Sequence, residues 1–573
     1  MKIVVTGAGI VSSLGFGKEV TLQALLDERS GISVPEILGT AHTEHPVGEV
    51  KMTTSALAEY ARVHAGESVS RTSLLGLCAA REALQQADIA DVSEVAFVNG
   101  TTVGGMDYTE QHWLDKEQYA QAITALHTAG ASTEHIARHI GQFAYTATIS
   151  TACSSALNAV IAACNMLRTS RCKQALVGGA ECLSLFHFNG FRSLQILATE
   201  PCRPFSANRQ GLNLGEGAAY LVIETEESAL QRNVPILAYI AGYGNACDAF
   251  HQTASSENGE GAYLAMKQAL AMANLSPADI DYINAHGTGT PNNDASESAA
   301  MLRLFADQMP AFSSTKAFTG HTTSAAGSIE LVISLLALQH AFLPANLNWQ
   351  EPMPEAVMPN LHTQRAELSH VLCNSFGFGG NDSSLILSKH AHSLSEQTEP
   401  VDYAVVADVE VDAEADYKQY ISPLQARRLS PTLRRLVIAA YKALEQAHCN
   451  QVDAVITGTD LGCICYSVTL LNQLTQEGED ALKPSLFMQS THNTPSSLIA
   501  ILMHNNGYNC TYSHGKDSYE HAMKDAQTQI QLGNIQSALV LGFEELDETW
   551  QQLETSVGKG HAMAARATII TKR

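Results

Sequence analysis

Features typical of membrane and secreted proteins are missing from this sequence of 573 residues. It has no uninterrupted apolar run of about 18 residues, the length that spans a bilayer, and no charged-then-apolar leader. The 12 cysteines follow no disulfide framework, and the only close pair, Cys463 and Cys465, lacks the partners of a metal site. We therefore expect a cytoplasmic protein with free thiols, no membrane span and no bound metal.

Positive charge is also scarce. The chain has 34 lysines and arginines against 58 aspartates and glutamates, which gives a formal net charge of −24. A strongly negative protein is repelled by phosphate backbones and by anionic lipids, so we expect no nucleic-acid partner and no binding to a charged membrane surface. At this length the chain has room for roughly two to four compact units.

What the sequence does have is an alternation of strand-like and helix-like runs. Apolar and β-branched runs predict strands at 3–5, 95–99, 175–178, 219–224, 282–285 and 385–387. Runs with apolar residues three and four apart predict helices at 74–87, 155–167, 261–273 and 325–339. Alternation of this kind predicts a layered α/β fold.

The segment 148–158, Thr-Ile-Ser-Thr-Ala-Cys-Ser-Ser-Ala-Leu-Asn, carries the first candidate for chemistry. Its strand-like start runs through small residues into a helical pattern, which places Cys153 at the first turn of a buried helix. Free backbone N–H groups and the helix dipole favour a thiolate there, so we expect a lowered pKa and a nucleophilic sulphur. For an isolated cysteine, a buried structural role is the alternative.

Three further segments have the same strand-to-loop character. His286 lies in Tyr-Ile-Asn-Ala-His-Gly-Thr-Gly-Thr-Pro, and Lys316 and His321 lie in Ser-Ser-Thr-Lys-Ala-Phe-Thr-Gly-His. The third segment, 374–382, is a glycine-rich turn that can bring backbone N–H groups close to a substrate. One histidine beside a glycine would mean little in a chain with 22 histidines. In combination with Cys153, these segments indicate an active site.

In this order and spacing, the four segments resemble the β-ketoacyl-acyl-carrier-protein synthases of the thiolase superfamily, in their elongating branch. The resemblance covers about residues 1–390 and includes 3–12, 178–181, 203–205 with Arg209, and 215–218. It implies an αβαβα fold of two similar halves, with helices between two mixed sheets. The pair Gly7 and Gly9 lacks the third glycine of a dinucleotide-binding fingerprint, and we reject that interpretation.

The resemblance also implies a decarboxylative Claisen condensation. Cys153 would hold the acyl chain, with its own N–H and that of Phe378 as the oxyanion hole. His286 and His321 would hydrogen-bond the enolate that forms when malonyl-carrier protein loses CO2. The substrate would arrive on the phosphopantetheine arm of an acyl carrier protein, and we expect no further cofactor.

Supporting polar residues are expected around these side chains. The resemblance places Lys316 beside Glu297, in the run that starts at Asp294, as a pair that sets the electrostatics of the site. Thr288 and Thr290 have hydroxyls that suit the amides of the phosphopantetheine arm. Local turn capping is the alternative role for both threonines.

The sequence also contains candidate residues for the entrance of the site and for the surface that a carrier protein would contact. Phe376 or, with more support, Phe378 would gate entry of the acyl chain, because both lie among glycines. An acidic carrier protein would need a local basic patch, for which Arg71, Arg192 and Arg203 are candidates, although each could equally serve in an ion pair. We expect a homodimer or a heterodimer with a related synthase subunit.

Residues 391–400 are polar and look like a linker, and the chain beyond them repeats part of the first half. An offset of 363 residues puts Lys516 in the place of Cys153, so the copy has no nucleophile. It resembles the chain-length-factor-like half-synthases associated with aryl polyene and related polyketide clusters. Three stretches recur in order: 70–87 with 430–447, where eight of 18 positions are identical, 97–104 with 455–462, and 175–181 with 538–544.

We therefore predict two synthase halves, 1–234 and 235–390, and a third, half-length thiolase-like domain, 401–573. The third is either a non-catalytic unit for chain length or dimerisation, or an independent domain with its own ligand. In the first case we expect the apolar run 436–444 to pack against the catalytic module or a partner subunit.

Two rival interpretations concern the catalytic region. A thiolase acting on coenzyme A esters would use a second cysteine as base, and Cys373 lies just before the glycine-rich turn. A purely structural subunit is disfavoured because Cys153, His286, Lys316 and His321 are all present. The sequence does not separate fatty acid, aryl polyene and other polyketide pathways.

Overall fold

The computed structural model describes residues 1–64, 66–354, 357–397, 399, 401–411 and 417–573. Its elements fall into three consecutive units. The strands of the first unit are β1 (Ile3–Ser12), β2 (Gly15–Phe16), β3 (Val95–Gly100), β4 (Tyr145–Ile149), β5 (Gln174–Glu181) and β6 (Gly217–Thr225). Its helices are α1 (Lys18–Leu26), α2 (Thr54–Tyr60), α3 (Arg71–Gln86), α4 (Met106–His112), α5 (Ala120–Leu126), α6 (Ala129–Ile140), α7 (Ser155–Arg168), α8 (Leu185–Ser193) and α9 (Glu226–Arg232).

The second and third units continue the chain. The second contains β7 (Ala238–Cys247), β8 (Tyr282–Asn284), β9 (Ala311–Ser313), β10 (Phe342–Leu343), β11 (Gln364–Arg365), β12 (His370–Gly377), β13 (Asn381–Ser388), α10 (Glu260–Ala273), α11 (Pro291–Phe305), α12 (Lys316–Thr319) and α13 (Ala326–His340). The third contains β14 (Tyr403–Glu410), β15 (Ala454–Gly458), β16 (Tyr508–Tyr512), β17 (Ser537–Glu544), β18 (Ala564–Lys572), α14 (Pro423–Ala426), α15 (Pro431–Gln446), α16 (Ile464–Glu477), α17 (Pro484–Phe487), α18 (Thr494–Met503), α19 (Ser518–Gln531) and α20 (Glu548–Ser556).

One strand order occurs in all three units. The orders are β1-β6-β5-β3-β4, β7-β13-β12-β8-β9 and β14-β18-β17-β15-β16. In each, the first two strands of the order run antiparallel to their neighbours and the last three are parallel. Short pairings of β1 with β7 and of β4 with β16 join the three sheets into one ladder. The layered α/β prediction is confirmed, and the third unit is a structural copy of the first.

Two helices form the central layer between the first and second sheets. All of α7 is buried, and so is α13 from Ala326 to Leu338. Helix α3 covers the outer face of the first sheet, and the glycines of β1 allow its close approach. A Cβ atom on Gly7 or Gly9 would come within 2.2 Å or 2.1 Å of a carbonyl oxygen of α3. These glycines therefore serve helix–sheet packing.

The helix α15 shows both the repeat and one error of prediction. Ser430 caps its start and Ala447 its end, as Ser70 and Ala87 do for α3. The prediction that 436–444 packs against the catalytic module is wrong. These residues are buried in a cluster made only of third-unit side chains, because the third unit has its own sheet to cover them.

The third unit meets the first through β16, α16, α17, α19 and α20. One apolar cluster contains Trp113 and Phe186 from the first unit together with Leu471 and Phe487 from the third. The indole N–H of Trp113 donates to Asn472 at 2.9 Å. The edge strand β4 is thereby covered by the same chain. Among the described helices, none combines the length and the apolar character that crossing a bilayer requires.

Candidate active site

Cys153 lies where strand β4 passes into helix α7. A short turn, Ala152–Ser154, separates the two elements, and Ala152 has a left-handed φ of 52°. The Ser155 hydroxyl accepts the Thr151 N–H at 2.9 Å and donates to the Ala152 carbonyl at 2.6 Å. These bonds hold the tight turn and place the sulphur at the start of the helix, with the residue only 5% exposed.

The predicted lowering of the Cys153 pKa is wrong. Burial raises the pKa of this thiol to about 12, because removal from water disfavours the thiolate. The Lys316 ammonium and the backbone N–H groups of Phe378 and Cys153 oppose the rise without overcoming it. The resting sulphur is therefore a thiol, and it needs a base at the moment of attack. The two N–H groups that face it are those expected to form the oxyanion hole.

His321 provides a base in contact with the thiol. Its Nε2 lies 3.1 Å from the Cys153 sulphur, and its ring stands at 85° to that of His286 with 5.3 Å between centroids. Burial, with Lys316 and His187 adding to it, holds the pKa of His321 well below its ordinary value, so the imidazole is neutral. The ligand atoms of Cys153, His286 and His321 lie within 4.8 Å of one another, a spacing that a metal ion would also accept.

Lys316 links His286 to a carboxylate, but not to the predicted one. Its Nζ lies 3.2 Å from His286 Nδ1 and forms an ion pair with Glu330 of α13. The prediction of a Lys316–Glu297 pair is wrong. Burial raises the pKa of Glu330 to about 7 against the opposing effect of Lys316. Because an ammonium only donates, Nδ1 of His286 accepts and its proton resides on Nε2.

Glu297 and Asp294 instead shape the loop that carries His286. Glu297 accepts the backbone N–H groups of His286 at 2.8 Å and Gly287 at 2.7 Å. Asp294 accepts those of Gly289 at 3.1 Å and Phe205 at 2.8 Å. Burial raises the pKa of Glu297 to about 7. Both carboxylates therefore position the histidine loop without contact to the sulphur.

A cavity of about 420 Å³ opens onto the catalytic side chains. Thr288 and Thr290 line it, and their hydroxyl oxygens lie 2.9 Å apart. Phe376 also lines it, with its ring 5.8 Å from that of His286. Phe378 stands at the boundary with a second, smaller cavity and stacks on Phe191 at 5.6 Å. The structure thus brings all the predicted site residues to one place or to its supporting loops.

The smaller cavity, of about 70 Å³, runs from Cys153 toward the third unit. The ring of Phe487, from α17, closes one side and packs on Phe191 at 5.4 Å. This contact depends on Gly190, because a Cβ atom there would lie 2.2 Å from the Phe487 ring. Its lining from the catalytic region includes Val103, Met106, Phe186 and His187, and from the third unit Asp460, Leu461, Ser467, Ser490, Thr491 and His492.

The third unit also holds the glycine-rich turn. The Asn493 amide donates to the Phe378 carbonyl at 2.8 Å and to Asn381 Oδ1 at 2.7 Å. A Cβ atom on Gly379, which has a φ of 84°, would lie 2.1 Å from the Ser497 hydroxyl of α18. No pattern in the sequence points to Asn493. For Glu330 a signal existed, since it is the only acidic residue in the apolar segment 326–340.

Several other sequence candidates lie elsewhere. Cys373 is buried in β12 and lines neither cavity, so it is not placed as a thiolase base. Arg71 is 4% exposed and paired with Glu216, so its proposed docking role is wrong. Arg192 is paired with Asp480 and Arg203 with Glu200. These three arginines therefore do not form a free basic patch.

Comparison with known proteins agrees with this geometry. Residues 1–229 and 237–350 match the families described as Beta-ketoacyl synthase, N-terminal domain and Beta-ketoacyl synthase, C-terminal domain, and residues 402–572 match a further N-terminal domain of that description. The 3-oxoacyl-(acyl-carrier-protein) synthase 2 of Vibrio harveyi is 32% identical over 413 residues, which are 68% of this chain and 99% of that protein.

Solved structures extend the likeness. One described as the ishigamide ketosynthase/chain length factor is 31% identical, with a TM-score of 0.63, over 68% of this chain and 99% of its own. The PfaC Keto synthase-Chain length factor covers 100% of this chain and 78% of its own with a TM-score of 0.83, at 18% identity, which shows the fold alone. The chain therefore belongs to the β-ketoacyl synthase family of acyltransferases and carries a second, N-terminal-type synthase domain at its C-terminal end.

Proposed function

We propose that this protein condenses malonyl-acyl-carrier protein with an acyl chain held on Cys153, with loss of CO2. The observation that carries the proposal is the continuous contact from Cys153 through His321 and His286 to the Lys316–Glu330 pair, at the junction of two cavities. The larger cavity would admit the phosphopantetheine arm, with Thr288 and Thr290 beside it. The smaller would take the acyl chain.

Acyl transfer begins at a protonated sulphur. As the sulphur attacks the carbonyl carbon of the incoming thioester, His321 takes the thiol proton across the 3.1 Å contact. The C–S bond to the carrier arm then breaks, and the proton passes to the departing thiolate. The N–H groups of Cys153 and Phe378 receive the negative charge on the carbonyl oxygen, and one such donor contributes on the order of 3 kcal/mol.

Condensation then uses the histidine fixed by Lys316. The malonyl carboxylate leaves as CO2 when its C–C bond breaks, and the electron pair becomes an enolate. His286 Nε2–H donates to the enolate oxygen, with the facing His321 ring as the second polar group. The enolate carbon attacks the acyl carbonyl on Cys153, the C–S bond to the cysteine breaks, and the departing thiolate takes up a proton from solvent through His321. The released product is a β-ketoacyl thioester on the carrier arm.

For the third unit we propose a non-catalytic role in the same chain. It covers the β4 edge, supplies the wall at Phe487 that limits acyl-chain length, and holds the Phe378 turn through Asn493. We propose unit boundaries at 1–234, 235–390 and 401–573. A fatty acid, aryl polyene or related polyketide product fits this arrangement. The twelve free cysteines suit a reducing compartment such as the cytoplasm.

Substitution of the nucleophile tests the proposal. Cys153→Ala should abolish β-ketoacyl product formation, because within the described chain no other thiol contacts His321. Cys153→Gln should still release CO2 from malonyl-carrier protein, since its amide mimics the acylated state. Product analysis by mass spectrometry and trapping of labelled CO2 measure the two activities. Condensation by Cys153→Ala above background would place the nucleophile elsewhere.

The two histidines should separate the half-reactions. His286→Ala should lose decarboxylation while Cys153 is still acylated at nearly the wild-type rate, because His286 does not contact the sulphur. His321→Ala should slow acylation itself by about a hundredfold, the contribution of a positioned general base. Rapid-quench intact-mass measurement of Cys153 acylation distinguishes them. Equal acylation rates in both variants would contradict the assignment of His321 as the base.

A further inference from the structure

Three imidazoles, those of His127, His187 and His492, lie in the wall of the smaller cavity, and two of them come from matching positions in the first and third units. His127 follows α5 in the first unit, and His492 precedes α18 in the third. Both line the cavity that starts at Cys153, among Phe186, Phe487 and other apolar side chains. An acyl chain that ends in a methyl group needs no polar groups at this depth. The reaction as proposed gives neither histidine a role.

The two histidines occupy equivalent positions of the internal repeat. His127 directly precedes Thr128, the N-cap of α6, and His492 directly precedes Asn493, the N-cap of α18. Helix α6 is followed by β4, and helix α18 is followed by β16, the two strands that pair between the units. The polar pair is therefore built from both copies and exists only where the first and third units meet.

Contacts on the far side of each ring fix its orientation. His127 Nδ1 lies 3.0 Å from the Thr109 hydroxyl, and the ring packs on Trp550 with 4.6 Å between centroids. His492 Nδ1 lies 3.1 Å from the Ser150 hydroxyl. Nε2 of His127 has no hydrogen-bond partner among the residues that the structure describes. His127, held at Nδ1 with Nε2 open, is arranged to bind a ligand. His492 has a further hydrogen bond to the Asp460 backbone beside its contact with Ser150.

The charges of His127, His492 and Asp460 indicate which chemical class of ligand the cavity would bind. Burial lowers the pKa of His127 and of His492 to about 4, so both rings are neutral near pH 7. A neutral imidazole both donates and accepts hydrogen bonds. Asp460 also lines the cavity, and its carboxylate, held by the Gly515 N–H and by His561, disfavours a second anion. The fitting group is uncharged and hydrogen-bonding, as a hydroxyl is.

We propose that His127 and His492 bind an uncharged hydrogen-bonding group near the far end of the acyl chain, so that the enzyme prefers hydroxylated chains to purely hydrocarbon ones. This inference rests on the proposed function, since the chain must first be attached to Cys153. The third unit would then help to select the acyl chain, in addition to closing the cavity with Phe487.

The test uses two series of acyl N-acetylcysteamine thioesters of increasing length, one with terminal methyl groups and one with terminal hydroxyl groups. The second-order rate of Cys153 acylation is measured by intact mass. Short chains of both series should react equally, because they do not reach the pair. From one length onward the hydroxyl series should react about five to ten times faster, the effect of one net hydrogen bond.

Variants of each histidine then assign the preference. His127→Phe and His492→Phe should remove or reverse it, while His127→Gln and His492→Gln, which keep a hydrogen-bonding amide, should retain most of it. The matched control is His362→Phe, at a side chain that is 83% exposed. If a phenylalanine variant does not fold, His127→Ala or His492→Ala, which also lacks a hydrogen-bonding side chain, takes its place.

The outcomes separate the two proposals. If the methyl series reacts as fast as the hydroxyl series at every length and gives β-ketoacyl product, the preference is refuted and the proposed function stands. If neither series labels Cys153, both are refuted. A preference that survives both phenylalanine substitutions would mean that other groups bind the hydroxyl, and would overturn the assignment to this pair.

Discussion

The first and third units contain the same tight turn, but only one of them has a nucleophile in it. In the first unit Ala152 precedes Cys153 with a φ of 52°, and in the third Gly515 precedes Lys516 with a φ of 58°. Ser518 repeats the bonds of Ser155, accepting a backbone N–H at 2.8 Å and donating to the Gly515 carbonyl at 2.6 Å. The backbone of the active-site turn is therefore retained without the chemistry.

The turns at Cys153 and Lys516 differ in the residues that cover them. Cys153 is buried against His321 and Phe378, both supplied by the second unit, whereas Lys516 is exposed and lines neither of the two cavities. The comparison shows that the turn alone is scaffold, and that catalysis requires a second half to close over it. The third unit instead contributes Phe487 and Asn493 to the first site.

The most severe way to break the pairing of the units is to remove the third. Truncation after His390 should cause aggregation or a changed oligomeric state, because it uncovers the cluster around Trp113 and Phe186 and frees the β4 edge. Light scattering measures the outcome. The control is a full chain cut within 391–397, whose pieces should stay together and active. A soluble, active truncated protein with unchanged stoichiometry and products would show that the third unit is independent.

Loss of the Asn493 side-chain amide should have a smaller effect than truncation, but one that the rate of Cys153 acylation should show. Asn493→Ala removes the donors to Phe378 and Asn381, so the oxyanion-hole N–H of Phe378 should lose its alignment. We expect acylation of Cys153 to slow about tenfold, part of the effect of losing one such donor entirely. Asn505→Ala is the matched control, because that amide bonds to Val452 within the third unit. Equal rates in the two variants would contradict support of the turn from the third unit.

The smallest expected effect is on stability. Hydrogen bonds to Asp460 and then Glu554 raise the pKa of His561 from 6.5 to about 10. A raised folded-state pKa gives stabilisation that is complete below about pH 6.5 and lost as the pH rises through about 10. With His561 partly exposed, we expect about 2 kcal/mol or less of pH-dependent unfolding free energy in this range. His561→Gln should make the unfolding free energy, measured by urea titration at several pH values, depend less on pH. An unchanged pH dependence would refute the pairing of His561 with Asp460 and Glu554.

The repeated architecture could be predicted from local sequence, because its signals are local. The capped helices starting after Ser70 and Ser430 and the strands ending at Glu181 and Glu544 recur at nearly constant offsets. The segments with His286 and His321 are similarly recognisable by the small residues after their apolar runs. Their assembly around Cys153 follows once the family resemblance is accepted.

What could not be predicted depends on burial and on side-chain partners distant in the chain. The Cys153 pKa is set by desolvation, which a helix-start pattern does not reveal. The partner of Lys316 is Glu330, because the ammonium reaches into the central helix rather than toward α11. Asn493 lies 115 residues from Phe378, and an ordinary helix cap gives no sign of that contact.

The most direct test of the central claim, that the third unit shapes the acyl site without doing chemistry, is to measure the acyl chains trapped on the enzyme. Intact mass and peptide mapping would compare wild type with Phe487→Ala and Lys516→Ala. We predict label on Cys153 alone in all three, longer chains in Phe487→Ala because the wall is removed, and an unchanged distribution in Lys516→Ala. Acylation of Lys516, or chains in Phe487→Ala identical to those of wild type, would contradict the account.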